Sequence, residues 1–270
     1  MARVVTVTSG KGGVGKTTTT ANLGTALALH GQRVVVVDAD IGLRNLDVVM
    51  GLENRIVYDL VDVVEGRCRL RQALIKDKRF PELFLLPAAQ TRDKDAVSPD
   101  DMIALCAELR REFDFVMIDS PAGIEGGFRN AIAGADEVLI VTTPEVSAVR
   151  DADRIVGLVE AFEKGHPRLI LNRIRPHMVT RGDMMATEDV VEILAIDLIG
   201  VVPDDESIVT TANRGEVAVM DRGSKAGRAF ASIARRLLGE DVPLQLVATE
   251  ESFLSRLWVA MGLRPRRASR

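Results

Sequence analysis

The sequence predicts an α/β protein of the P-loop NTPase class, with a mostly parallel twisted sheet and helices on both faces. Three observations carry this. Short β-branched runs recur along the chain with helical periodicity between them. The runs are continuously apolar instead of alternating, as strands covered on both faces must be. Residues 10–17 read GKGGVGKT, a GxxxxGKT phosphate loop. At 270 residues, 47% hydrophobic and 27% charged, the chain has ample material for such a core.

The first element is a buried strand in RVVTVTS, carrying Val4, Val5 and Val7. The phosphate loop follows. Its glycines let the backbone turn tightly and bring N–H groups close to phosphate oxygens. The nucleotide-binding run is therefore Gly10, Lys11, Gly12, Gly13, Val14, Gly15, Lys16, Thr17 and Thr18. Lys16 brings a cation to the β- and γ-phosphates, Thr17 offers a hydroxyl to Mg²⁺, and the positive end of the next helix faces the anion. Lys11 is not needed to hold phosphate; on chemistry alone it is either a second working cation or a solvated charge. TTTTANLGTALALHG predicts an amphipathic helix closed by Gly31.

Further strands are expected in RVVVVDAD, ending in Asp38 and Asp40; in ELFLLPA (82–88); in FDFVMIDSPAG, ending in Asp119; and in segments 136–145, 167–174 and 197–205. In a parallel sheet the carboxyl ends of the strands form the ligand crevice, so Thr17, Asp40, Asp119 and Asn172 converge there. Phosphoryl transfer needs charge neutralisation, a metal and a placed nucleophile. Asp119 suits a Walker-B-like role at Mg²⁺, Asp38 the metal's water shell, and Asp40 the attacking water, unless each merely caps a turn or helix. Guanine-specific loops present NKxD, but here Asn172 begins NRIR with Arg175 in place of the acid. Adenine, hence ATP, is favoured, with Asn172 on the base edge and Pro203 and Asp204 beside it. The alternative is that Asn172 only caps its strand.

Net charge is −4, but five arginines (256, 264, 266, 267, 270) and no acid follow Glu251, leaving −9 on residues 1–251. An acidic body argues against nucleic acid as a specific partner. Cys68 and Cys106 form no CxxC pair, which gives little support to disulfide frameworks, zinc sites or thiol-ligated clusters within one chain and points to the cytoplasm. No leader pattern or run of 18 apolar residues is present, so the expectation is a chain that neither is secreted nor spans a membrane. Residues 1–239 are read as the ATPase domain, 240–250 as a connector and 251–270 as a basic tail. In the tail, Phe253, Leu254, Leu257, Trp258 and Met261 fall within about 140° of helical arc at about 100° per residue. Val259 and Leu263 blur the polar face, and Gly262 and Pro265 end the helix. An interfacial helix on an anionic bilayer, a terminal helix docked on the domain, and a disordered end all fit this pattern.

The segments GKGGVGKTT, VDADIGLRNLDVVMGLE, ALIKDK, LPAAQTRDKDA, IDSPAGIE, PEVSAVRDADRI and RGDMM closely resemble the septum-site-determining ATPases of the MinD family, deviant-Walker-A relatives of ParA and of nitrogenase iron protein. The similarity runs from about residue 1 to 262 and includes surface loops with no nucleotide duty. It implies an ATP-dependent homodimer in which Lys11 crosses to the partner subunit's nucleotide and acts in catalysis with Lys16 and Asp40. Thr17 and Asp119 match the metal positions. Arg44, Asn45, Asp151 and Asp153 lie in segments that in the family face the division inhibitor MinC and the activator MinE. The resemblance also implies a membrane-targeting tail, and so a protein both cytoplasmic and peripheral on the cytoplasmic face of the cell membrane. A DNA-partitioning ParA role lacks a basic body, and the cysteines lie outside the iron protein's cluster motifs.

Overall fold

The computed structural model describes residues 2–93, 96–124 and 126–244. Its strands are β1 (Arg3–Thr8), β2 (Val34–Asp38), β3 (Ile75–Lys76), β4 (Leu83–Leu86), β5 (Phe115–Asp119), β6 (Glu137–Thr142), β7 (Arg168–Ile174) and β8 (Asp197–Pro203). They form one sheet in the order β3-β4-β2-β5-β1-β6-β7-β8, with every pair parallel except β3 against β4. The seven apolar runs of the sequence each supply a strand, and the α/β class with a mostly parallel sheet is what the chain adopts. The eighth strand, β3, is too short to show a pattern. It exists because the chain doubles back, with the Asp77 N–H donating to the Leu83 carbonyl at 2.9 Å.

Continuous apolar runs are needed because both faces are covered. Val4, Val35 and Val37 pack into the layer holding residues of helices Pro99–Leu109, Gly126–Ala133, Val146–Ala161 and Thr187–Leu194. Their neighbours Val5, Val7, Val34 and Val36 point the other way, into the layer of helices Lys16–Leu29 and Lys225–Leu237.

The Lys16–Leu29 helix corrects one expectation: it is not amphipathic. Residues 19–27 are all buried, because the helix lies between the sheet and the Lys225–Leu237 helix. Two of its threonines tolerate this by donating back along the helix, Thr20 Oγ1 to the Lys16 carbonyl (3.1 Å) and Thr25 Oγ1 to that of Ala21 (2.9 Å). Gly31 does end the turn, at φ +79°.

Lys225–Leu237 is the last described helix. Residues 245–250 of the connector and the tail calls on Phe253, Leu254, Leu257, Trp258 and Met261 lie outside the described residues. Among the described residues no helix is long and apolar enough to cross a membrane.

Candidate functional site

The phosphate loop leaves β1 at the centre of the sheet and turns directly into the buried helix. Two bonds brace its start: Ser9 Oγ donates to the Lys11 carbonyl at 2.9 Å, and the Gly123 N–H, from the loop after β5, donates to the Ser9 carbonyl at 3.1 Å. Gly15 sits at φ +99°, and a Cβ there would lie 2.3 Å from Asn172 Nδ2. Only glycine fits that position. The two loop lysines diverge. Lys16 is buried at 7% exposure, whereas Lys11 is exposed, with its amine 3.4 Å from Ser147 Oγ.

Beneath the loop two carboxylates meet, because Asp38 and Asp119 are register partners at the ends of β2 and β5. Thr17 Oγ1 donates to Asp119 Oδ2 at 2.7 Å, and Thr20 Oγ1 reaches Oδ1 at 3.3 Å. Asp38 accepts from the N–H groups of Asp40 (2.9 Å) and Leu46 (3.2 Å), so it also shapes the loop after β2. Burial, reinforced by the Asp119 charge, pushes the Asp38 carboxyl well above the usual carboxylate range. Burial raises Asp119 too, with Lys16 and Thr17 pulling it back. Two buried carboxylates beside a hydroxyl are a hard-oxygen set short of positive charge, which suits Mg²⁺. Among the described residues no cluster of three or more His, Cys, Asp or Glu is built to hold a metal. A cation here would complete its shell with phosphate oxygens and water, as Mg²⁺ does at nucleotides. Asp40 is half-buried at the head of a tight turn, its carbonyl accepting from Leu43 and Arg44, both at 3.3 Å.

Beside the loop opens a cavity of about 290 Å³, lined among others by Gly15, Thr18, Asn172, Pro203 and Asp204. The expected base residues thus share one cavity, but Asn172 is already engaged. Its Nδ2 donates to the Val14 carbonyl at 2.7 Å, and its Oδ1 accepts from the Arg173 N–H at 2.9 Å. Asn172 therefore ties β7 to the phosphate loop, leaving one amide hydrogen and one lone pair for a base. Asp204 pairs with Arg175 at 2.6 Å. Sequence reasoning missed several residues here. Thr20 was legible as the fourth member of TTTT, one turn beyond Thr17. Asp205, Ile208, Val209 and Phe230 also line the cavity, but they carry no local signal. Asp205 accepts from the N–H groups of Ser207 (2.9 Å) and Ala226 (2.9 Å) and from Ser224 Oγ (2.9 Å). Burial raises its pKa, and these donors outweigh that, bringing it down to about 2.

The expected partner-facing residues occupy two segments on either side of the phosphate loop. After β2, Arg44 (φ +46°) donates from Nε to the buried Asp47 at 2.8 Å, while Asn45 is exposed. After β6, Asp153 is exposed on the Val146–Ala161 helix. Asp151, on the same helix, lies against the loop so closely that a Cβ on Gly10 would meet its carbonyl oxygen at 2.2 Å.

Residues 5–219 match the CobQ/CobB/MinD/ParA nucleotide binding domain family. Over 98% of this chain and all of the relative, the sequence is 57% identical to the septum site-determining protein MinD of Bacillus subtilis. The chain belongs to the MinD family. Among MinD structures, the MinC:MinD cell division complex of Aquifex aeolicus matches with a TM-score of 0.85 at 50% identity, covering 90% of this chain and 98% of that one. The Pyrococcus horikoshii MinD complexed with Mg-ADP matches at 0.80 and 29% identity, covering 90% of this chain and all of its own. The eight-stranded sheet and phosphate loop described above are thus the nucleotide-binding fold of MinD proteins.

Proposed function

We propose that this chain is a Mg²⁺-dependent ATPase that dimerises with ATP, binds the cytoplasmic face of the membrane through residues 251–270, and recruits MinC to control septum placement, with hydrolysis stimulated by MinE. The divergence of the two loop lysines supports this most strongly. Lys16 is buried under the loop, whereas Lys11 lies exposed at the surface, its amine 3.4 Å from Ser147 Oγ and accessible to a second subunit. A second copy placed face to face would receive it. Family membership and the MinC:MinD complex of a relative support the partner and the process.

In this reading, loop amides and Lys16 hold the triphosphate while Gly10, Gly12, Gly13, Val14, Gly15 and Thr18 shape its cradle. Thr17 and Asp119 would hold Mg²⁺, with Asp38 toward its water shell; the ion, when bound, neutralises charge on the phosphates. Asp40 orients the attacking water, and Lys11 from the partner subunit stabilises the charge that develops as the γ-phosphoryl group departs. Asn172, Pro203 and Asp204 border the adenine. Arg44, Asn45, Asp151 and Asp153 form the surface offered to MinC and MinE.

One amphipathic tail binds a bilayer marginally, whereas two tails joined by dimerisation act at high effective concentration and bind together. The arginines of the stretch RPRRASR add attraction to an anionic surface. Co-sedimentation with anionic vesicles tests this, comparing ATP with ADP and the intact chain with one ending at Glu250. Binding that requires both ATP and the tail supports the proposal. Equal binding in ADP, or by the shortened chain, refutes the membrane switch.

A further inference from the structure

The stretch ALIKDK and the arginine after it have no part in the site above, yet the structure builds them into a junction. Two short helices end there. Leu46–Val49, which follows the loop carrying Asp40, Arg44 and Asn45, closes with the Gly51 N–H donating to the Val48 carbonyl (3.1 Å) and that of Leu52 to Asp47 (2.9 Å). Ser207–Ala212, whose Ile208 and Val209 wall the base cavity, closes with the Gly215 N–H donating to Ala212 (3.0 Å) and that of Glu216 to Thr211 (2.9 Å). Gly51 and Gly215 both sit at φ +65° and meet back to back: a Cβ on either would come within 2.6 Å of the other's backbone.

Arg79 spans this meeting point. Its Nη2 donates to the Met50 carbonyl at 2.5 Å and its Nη1 to the Gly215 carbonyl at 2.7 Å. The fork is held by Asp77, 1% exposed, which accepts from Nη2 at 2.7 Å and from Nε at 3.1 Å. A cation at two helix C-termini is well placed, because unsatisfied carbonyls concentrate negative charge there. A third tie reaches the phosphate side: the Val219 N–H donates at 2.9 Å to Asn22 Oδ1, on the phosphate-loop helix, and Asn22 Nδ2 donates to the Thr18 carbonyl at 2.8 Å.

The geometry points to Arg79 as a positioning residue that couples occupation of the base cavity to the partner-facing loop, by clamping the ends of helices Leu46–Val49 and Ser207–Ala212 together. A guanidinium fork is required, since a lysine ammonium cannot serve two carbonyls and a bidentate carboxylate at once. Nucleotide closing on Ile208 and Val209 moves the Gly215 end, and the clamp carries that to Met50 and so to residues 43–50. This rests on the ATPase reading above and names how its two surfaces communicate.

The test is amide hydrogen exchange on the full chain with and without Mg-ATP, together with steady-state hydrolysis with and without the activator. In the unaltered chain ATP protects the phosphate loop, residues 207–212 and residues 43–50. In Arg79→Met the first two gain protection as before while 43–50 do not, and activator-stimulated kcat falls about five- to tenfold with KM for ATP little changed. Arg79→Lys shows the same separation if Arg79→Met fails to fold. A merely structural arginine would lower protection everywhere and leave the ATP-induced change at 43–50 intact, and that result overturns the clamp. Absence of ATP protection at the phosphate loop of the unaltered chain instead counts against the ATPase reading.

Discussion

At the phosphate end of the cleft the working groups come mainly from one stretch, residues 10–20, and rest on backbone amides and a buried lysine. At the proposed base end the lining arrives from four separate places: the phosphate loop at Gly15 and Thr18, residues 172–175, residues 203–209 and Phe230. The first is fixed by covalent continuity, since the loop cannot form without presenting its own amides. The second is fixed only by tertiary ties such as Asn172 to Val14 and Asp205 to Ala226. On the proposed reading, phosphate recognition therefore rests on one continuous segment and base recognition on packing between several.

The sharpest break of that contrast comes from the loop itself. Lys16→Ala removes the buried cation, and nucleotide affinity by equilibrium dialysis falls more than about a hundredfold, on the order of 3 kcal/mol for charge-assisted bonds. ATP and tripolyphosphate suffer alike. Asn172→Ala ranks next. It weakens ATP about tenfold and tripolyphosphate about threefold, because the side chain holds the Val14 carbonyl and, as proposed, also borders the base. Equal losses for the two ligands would make Asn172 a loop brace alone.

Asp205→Asn acts on the base end without touching phosphate, costing about 1–2 kcal/mol of stability at pH 7 through the donors it strands. Its folded pKa, about 2, lies below the ordinary 3.8, so the native state holds fewer protons between those values. Its contribution is complete above about pH 4 and is lost as pH falls toward 2. Thermal melts across that range should show a shallower acid limb in the variant. The smallest change in nucleotide affinity belongs to Lys11→Ala: within about twofold of the unaltered chain, with stimulated hydrolysis abolished. A large loss of ATP affinity would place Lys11 in its own subunit's site.

The same contrast explains what the sequence made legible. Seven strands and the phosphate loop were readable because each is written locally, in a β-branched run or an octet. The buried helix 16–29 was misread as amphipathic because its threonines look polar, though the hydroxyls of Thr20 and Thr25 are satisfied within the helix. Ile208, Val209 and Phe230 were invisible as pocket residues because only the sheet order brings them to Asn172. Arg79 carries no local signal of its role in the sequence. Its value depends on two glycine turns 164 residues apart in sequence, Gly51 and Gly215, which no periodicity connects.

The two-residue β3 has a consequence for crowding. A rim strand that short, with Lys76 exposed, offers a neighbouring molecule almost no unsatisfied backbone to zip onto. Copies at high local concentration thus gain little from pairing at that edge of the sheet, which guards it against fusing into ribbons.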